Sequence, residues 1–179
     1  MPEDDDYLAA DDGQLLRQCD QHEYRSSGPG GQHRNKVSSA IRLRHRPTGI
    51  SAHGDDSRSQ HQNRALALKR LRMNIACQHR RGADLAGPVP DYVRQCTFVA
   101  RGGEAAGRLR LAVGVRDQRF WHVAAYLLDL LDAAGGSLAV AAEVIGVTSS
   151  NFAKVLDSER HLLAAAQDIR KRHGLGRLG

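Results

Sequence analysis

A short glycine-rich stretch near the N-terminus, Gly28-Pro29-Gly30-Gly31-Gln32, contains the residues of this chain best suited to chemistry. The proline and the glycines disfavour regular helix and strand, so the stretch is predicted to be a loop. Because glycine has no side chain, the backbone N–H groups of such a loop can approach a reacting group closely. The loop is not a nucleotide-binding P-loop, since no Gly-Lys-Ser/Thr follows it, and its spacing differs from the dinucleotide-binding fingerprint. The glycines alone would also suit an ordinary turn.

Positive charge is concentrated around this loop. Residues 25–81 hold thirteen Lys or Arg against two acids, a balance of +11, whereas residues 1–24 hold eight acids and one base. A block of one sign is typical of a surface that binds a polyanion, and nucleic acid is the first candidate. A membrane surface is disfavoured, because the bases do not lie on a helix with an opposite face of Trp, Phe or Leu.

The residues after the loop are predicted to form a β-hairpin. Apolar and charged residues alternate over Ile41–Arg46, which predicts a strand with one buried face and one cationic face. Pro47-Thr48-Gly49 predicts a turn, and Ile50–His53 predicts the returning strand. A short helix and strand are predicted before the loop at Leu15–Tyr24, and a short helix after it at His33–Ser38.

A longer helix is predicted to follow the hairpin. Its start signal is Asp55-Asp56-Ser57, which combines acids with a capping hydroxyl, and it extends to about Gln78. The spacing of three and four residues defines its apolar stripe. The stripe residues are Ala65, Leu68, Leu71 and Ile75.

The C-terminal half is predicted to be mostly helical. Ser137 and Thr148 are helix-capping residue types, and Gly146 between them suits a tight turn. The two helices that they begin therefore resemble a helix-turn-helix, with Ser149 and Asn151 as candidate base contacts. The other predicted elements are a strand at Cys96–Ala100, an apolar helix stripe of Trp121, Ala124, Ala125, Leu128 and Leu131, and a last helix at Arg160–His173.

These elements predict an α+β fold, with a small β-sheet domain and a packed helix followed by a small all-helical module. The predicted organisation is a disordered acidic tail at 1–12, the β-sheet domain at 13–80, a linker with one strand at 81–117, and the helical module at 118–179.

Four motifs follow one another between about Leu15 and Gln78. They are Gly30-Gly31-Gln32, Asn35-Lys36 just after it, the turn Pro47-Thr48-Gly49 and the helix start Arg58-Ser59-Gln60. Together they resemble the catalytic (GGQ) domain of bacterial class I peptide chain release factors and of the related ribosome-rescue peptidyl-tRNA hydrolases.

The resemblance implies ribosome-dependent hydrolysis of the ester that joins a nascent peptide to transfer RNA, with the ribosome and peptidyl-tRNA as partners. It implies Gly30, Gly31 and Gln32 as catalytic residues. The backbone amide of Gln32 would donate to the developing charge or the leaving hydroxyl, and its side chain would place the water. The glutamine of this motif is often methylated in the family, which makes a Gln32 methyltransferase a further expected partner. The basic residues around the loop and on the strand are candidate contacts to ribosomal RNA phosphates: Arg25, Arg34, Lys36, Arg42, Arg44, Arg46 and Arg58. For Arg58 a second role stays open, which is to tie the following helix to the loop.

No cofactor or metal is expected, because Cys19, Cys77 and Cys96 are far apart and lack metal-ligand spacing. The acidic N-terminus has neither signal-peptide nor presequence character, and no apolar run reaches transmembrane length. We therefore expect a cytoplasmic protein, and a monomer.

The chain also departs from the family pattern. Only about 24 residues precede the catalytic region, and no stop-codon-reading segment is recognisable, so release or rescue without stop-codon reading is expected. Compact rescue hydrolases carry a long basic tail, whereas the C-terminal bases here are few. Two alternatives remain open. One is a non-catalytic ribosome- or RNA-binding protein, and the other is a nucleic-acid-binding protein acting through the helix-turn-helix-like module, whose second helix has Lys154 as its one base.

Overall fold

A computed structural model of the chain describes residues 6–24, 39–103 and 106–178. The described residues form two compact units, which divide between His79 and Arg80. The fold is α+β, as predicted. Its elements are α1 (Asp12–Arg17), β1 (Cys19–Tyr24), β2 (Ala40–His45), β3 (Ser51–Gly54), α2 (Gln60–Gln78), α3 (Asp91–Arg94), β4 (Thr97–Val99), β5 (Leu109–Leu111), α4 (Phe120–Ala133), α5 (Leu138–Ile145), α6 (Ser149–Asp157) and α7 (Arg160–Arg172).

The first unit is a three-stranded antiparallel sheet covered on one face by α2. The strand order is β1-β2-β3, with β2 in the centre. Ile41, Leu43 and His45 of β2 are buried while Arg42 and Arg44 are exposed, so the alternation predicted from the sequence is confirmed. The inner face of the sheet meets α2 in one apolar cluster, which includes Leu15, Ile41, Leu43, Leu71 and Ile75.

Helix α2 differs from the prediction at its start and in its buried face. It begins at Gln60, and the Ser59 hydroxyl caps it by accepting from the Gln62 amide. The start predicted from Asp55-Asp56-Ser57 is therefore wrong, and the helix start in the motif Arg58-Ser59-Gln60 is confirmed. Ser57 instead lies in a turn that is held by side chains of the first helical turns. Leu68, Leu71 and Ile75 of the predicted stripe are buried, whereas Ala65 is exposed. Asn63 and Ala67 complete the buried face of the helix.

The end of β3 lies against the backbone of α2 with no room for a side chain. A Cβ added to Gly54 would lie 2.0 Å from the carbonyl oxygen of Asn63 and 2.9 Å from the amide nitrogen of Ala67. Strand and helix can approach this closely because position 54 is glycine.

We expect Gly54→Ala to lower the free energy of unfolding of the first unit by about 3 kcal/mol, since backbone on both sides must move apart. Gly114→Ala is the control, because a Cβ there meets nothing within 4 Å. The measurement is urea denaturation. Unfolding is monitored through the NMR signals of the β2 amides for Gly54→Ala, and through Trp121 fluorescence for the control. A Gly54→Ala protein as stable as the wild type would contradict the close approach.

Residues 6–12 belong to the first unit. Tyr7, Leu8 and Ala10 pack against its apolar cluster. Asp11 caps α1 in a reciprocal arrangement, since its carboxylate accepts from the Gln14 amide and the Gln14 side chain accepts from the Asp11 amide. Residues 6–12, which lie in the segment predicted from composition to be a disordered acidic tail, thus have defined positions.

The second unit is built around α4, which is buried on most sides. The predicted stripe was too narrow, because Val123, Leu127 and Leu130 are fully buried as well. The predicted caps are present: Ser137 caps α5, Thr148 caps α6, and Gly146 adopts a left-handed φ of 81° between them. Residues 81–117, predicted as a linker, contribute α3, β4 and β5 to this unit and bury Val93, Cys96 and Leu111 in its core. No helix among the described residues is long and apolar enough to cross a membrane.

Candidate functional site

The glycine-rich loop is connected to adjacent positions of the sheet. Gly30, Gly31 and Gln32 lie outside the described residues, as do Arg25, Arg34, Lys36 and the helix predicted at 33–38. Its two ends are described: β1 ends at Tyr24, and β2 begins at Ala40, which is the antiparallel partner of Tyr24. The chain therefore leaves the sheet and returns to it at neighbouring points.

A buried asparagine fixes the end at which the chain returns. Asn63 is 0% exposed, and its side-chain amide donates to the carbonyl of Ser39, the first described residue after the loop, at 2.7 Å. The same amide donates to the Ser57 carbonyl at 2.7 Å, and its oxygen accepts from the Ser57 amide at 2.9 Å. One side chain thus joins the loop end, the turn before α2 and the first turns of α2. We refer to these three hydrogen bonds as the Asn63 clamp.

Sequence reasoning missed Asn63. The signal was present, because Asn63, Ala67 and Leu71 follow one another at the four-residue spacing of a single helix face. A polar residue within an otherwise apolar face is buried only when its hydrogen bonds are satisfied, which makes it a candidate for a structural or functional role.

The outer face of the sheet displays a short cationic row. Arg42 and Arg44 project from the central strand, and neither side chain makes a hydrogen bond or an ion pair with a described residue. His22 of β1 and His53 of β3 are the cross-strand partners of Arg42. The Tyr24 hydroxyl bonds to Nδ1 of His53 at 3.2 Å, beside the start of the loop. This row is adjacent to both ends of the loop.

Arg46 and Arg58 are placed differently from each other. Arg46 is held by the unit itself, since its guanidinium donates to the Asp20 carboxylate at 3.1 Å and to the Arg17 carbonyl. Arg58 is exposed just before the cap of α2, and its side chain bonds to no described residue. Four of the predicted RNA contacts are described by the structure. Arg42, Arg44 and Arg58 bond to no described residue through their guanidinium groups, whereas Arg46 does.

The Pro47-Thr48-Gly49 motif has a structural role in the hairpin. Gly49 adopts a φ of 71°, in the left-handed region, and its amide donates to the His45 carbonyl at 2.8 Å. The Thr48 hydroxyl bonds to Nδ1 of His45 at 2.9 Å, and Nε2 of His45 bonds to the Gln18 side chain at 3.0 Å. The Tyr7 ring packs edge-on against the His45 ring, with centroids 4.6 Å apart. His45 is therefore a buried structural histidine.

Burial, with smaller contributions from His79 and Arg46, lowers the pKa of His45 from 6.5 to about 4. The folded unit thus favours neutral His45, and the stability that this residue contributes is complete above pH 6.5 and is lost as the pH falls toward 4. We expect the urea midpoint of the β2 amide signals to fall over this interval. In His45→Gln the fall should be smaller, although the variant is less stable at neutral pH. An equal fall in both proteins would assign the acid sensitivity to other groups.

Among the described residues, no group of three or more His, Cys, Asp or Glu is arranged to hold a metal ion. The described part of the candidate site consists of the β1–β2 pair, the Asn63 clamp and the sheet face that carries Arg42 and Arg44.

Comparison with known proteins matches this same segment. The model of the RF-1 domain family matches residues 17–86. Peptide chain release factor 1 of Levilactobacillus brevis is 49% identical over 75 residues, which are 42% of this chain and 20% of that protein. Peptide chain release factor 1 of Albidiferax ferrireducens is 60% identical over 52 residues, 29% of this chain and 14% of that protein. Peptide chain release factor 2 of Acidovorax sp. is 58% identical over 52 residues, which are 29% of this chain and 14% of that protein.

The chain spans about a fifth or less of the length of these relatives. The matched residues contain the four motifs, the sheet, helix α2 and the Asn63 clamp. Residues 17–86 are therefore similar to the catalytic domain of class I peptide chain release factors.

Proposed function

We propose that this protein hydrolyses the ester between a nascent peptide and transfer RNA inside the ribosome, and that it does so without reading a stop codon. In the reaction, the oxygen of a water molecule bonds to the peptide carbonyl carbon. The bond from that carbon to the ribose oxygen breaks, and the ribose oxygen takes up a proton. Gly30, Gly31 and Gln32 perform the step, with the Gln32 amide donating to the charge that develops on oxygen.

The observation that carries the proposal is the RF-1 domain match over residues 17–86, which includes the loop and the elements that hold its ends. A loop of glycines suits a crowded RNA cavity, because it brings backbone donors to the ester without side chains that would collide. The matched proteins are named peptide chain release factors, which agrees with a substrate of this class.

Ribosomal RNA is the proposed surface against which the sheet unit docks. Arg42 and Arg44 are exposed on the outer face of the sheet and make no ion pair with a described residue, so their charge is available to phosphate. Arg58 is exposed in the same unit, and Arg25, Arg34 and Lys36 flank the loop in sequence. Arg46 is a weaker contributor, because Asp20 already pairs with it.

Action without stop-codon reading is proposed from the sequence. The similarity to release factors described above lies in the catalytic domain, and no stretch of the 179 residues was recognised as a codon reader. We also propose that the protein is a monomer and that Gln32 is methylated. Mass spectrometry of the natural protein measures the methylation directly.

The testing experiment uses ribosomes that carry labelled peptidyl-tRNA and differ only in the A site: empty, a sense codon or a stop codon. We expect release from the empty-site complex, and no additional release at the stop codon compared with the sense codon. Release that occurs only at the stop codon would overturn codon independence and retain the hydrolysis. Absence of release from all three complexes would overturn the hydrolysis itself.

A further inference from the structure

The β4–β5 hairpin of the second unit presents an aromatic side chain beside arginines. Phe98 is 50% exposed, and it lies directly opposite Arg110 in the antiparallel register. The pairing continues to the next pair, since the Ala100 amide donates to the Arg108 carbonyl at 3.0 Å. Because side chains alternate along a strand, Phe98, Arg108 and Arg110 lie on the same side of the hairpin. We call these three residues the hairpin face.

The two arginines of the hairpin face form no ion pair with any described residue. Nearby Arg119 is bound to the Asp117 carboxylate at 2.8 Å, which holds the pKa of Asp117 at about 2, and Arg94 is paired with Asp91. The side chains of Arg108 and Arg110, by contrast, form no hydrogen bond or ion pair with any residue that the structure describes.

The hairpin is held firmly from behind. Asn151 of α6 is 6% exposed, and its side-chain oxygen accepts from the Leu111 amide at 2.7 Å while its side-chain nitrogen donates to the Leu111 carbonyl at 3.0 Å. Leu111 itself is buried in the core of the unit. Phe98 and the two arginines are therefore presented by a strand pair whose position is fixed, so little ordering is needed when a ligand binds.

The same contacts alter the helix-turn-helix hypothesis. Asn151 was a candidate for contact with nucleic-acid bases, but both ends of its side chain are already bonded to Leu111. The exposed face of α6 offers Lys154 beside Asp157, a combination with no net positive charge. Of these two surfaces, the hairpin face is better equipped than α6 to bind a polyanion.

We propose that the hairpin face binds an unpaired RNA strand, with one base stacked on Phe98 and neighbouring phosphates at Arg108 and Arg110. An exposed aromatic ring on a strand, combined with arginines, is the arrangement that holds single-stranded nucleic acid. A duplex buries its bases, so it would leave Phe98 without a stacking partner. The proposed site consists of residues of the second unit alone, and its test does not depend on ester hydrolysis.

The test titrates the full chain, carrying Arg42→Gln and Arg44→Gln to weaken binding by the first unit, against fluorescein-labelled twelve-nucleotide oligouridine. Adding Arg108→Gln and Arg110→Gln should weaken binding about tenfold, and should reduce the salt slope of log K by about 1.4, since each phosphate contact to a single strand contributes about 0.7. Phe98→Leu should weaken binding about fivefold or more by loss of stacking, with the salt slope unchanged. Arg94→Gln is the control and should bind like the parent.

Trp121 fluorescence and circular dichroism establish that each variant retains the fold of the second unit. Affinities within twofold of the parent for both the double arginine variant and Phe98→Leu would overturn the proposal. So would loss of affinity in the arginine variant alone, or equally tight binding of a duplex RNA or of phosphatidylserine vesicles, because each result indicates general attraction to anions without a stacked base.

Discussion

Replacing Gly31 by alanine is expected to slow peptide release from stalled ribosomes by about 100-fold or more, while ribosome binding changes little. The methyl group restricts the backbone torsions that aim the Gln32 amide, and loss of one preorganised donor to a developing oxyanion costs about 100- to 1000-fold in rate. Gln32→Ala keeps the amide and loses the side chain, so we expect a smaller decrease. The measurement is single-turnover release of labelled peptide at saturating protein.

Two comparisons make this result interpretable. Gly114→Ala adds the same methyl group in open space, in the second unit, and should release at the wild-type rate. Ribosome affinity, measured by co-sedimentation, separates a defect in chemistry from a defect in docking. If both Gly31→Ala and Gln32→Ala release peptide as fast as the wild type, the loop is not the catalytic element.

Replacing Asn63 by alanine is expected to lower both the stability of the first unit and the rate of release. The change leaves the carbonyls of Ser39 and Ser57 and the amide of Ser57 without their bonds from the Asn63 clamp. An unsatisfied buried polar group costs about 1–3 kcal/mol, so we expect a loss of about 3 kcal/mol in the free energy of unfolding. Ser39 is the first described residue after the loop. Loss of its hydrogen bond to Asn63 should therefore also disturb the position of the loop.

Asn74→Ala is the matched control, because Asn74 lies on the same helix and makes a single side-chain bond to the Ser51 carbonyl at 2.8 Å. It should cost about 1 kcal/mol and leave release unchanged. Well below the unfolding midpoint, Asn63→Ala should show a reduced rate at saturation with near-normal half-saturation, which identifies positioning of the loop. If Asn63→Ala and Asn74→Ala lose the same stability and both release peptide at the wild-type rate, Asn63 does not position the loop.

The sequence predicted those parts of the fold that short-range patterns determine. Alternation identified β2, and capping residues identified α5 and α6, because these signals are local. The capping signal alone misplaced the start of α2, because Ser57 and Ser59 are both capable caps. The choice between them depends on the hydrogen bond between Asn63 and Ser57. The strand predicted at Cys96–Ala100 is confirmed as β4, whereas β5 was missed because a three-residue strand is too short for a clear period.

For the candidate site, the sequence supplies a hypothesis in outline. The motif series and the charge block pointed to the loop and to phosphate, but charge along the chain does not reveal which arginines are engaged. Arg70 donates to the His53 carbonyl and the Asp56 carboxylate, and Arg72 binds Asp12 and the Ala10 carbonyl. Arg80 pairs with buried Asp129 at 3.0 Å. Part of the +11 block therefore stabilises the two units, and exposed bases such as Arg42, Arg44 and Arg58 are those that we propose contact RNA.

The most direct measurement of the central claim compares one substrate in two settings, labelled peptidyl-tRNA in the P site of ribosomes with an empty A site, and the same peptidyl-tRNA free in solution. We predict rapid release by the wild-type protein on the ribosome, strong loss in Gly31→Ala, and hydrolysis of free peptidyl-tRNA no faster than in buffer. A wild-type protein that releases nothing on the ribosome, or that hydrolyses the free substrate equally well, would contradict ribosome-dependent ester hydrolysis by this loop.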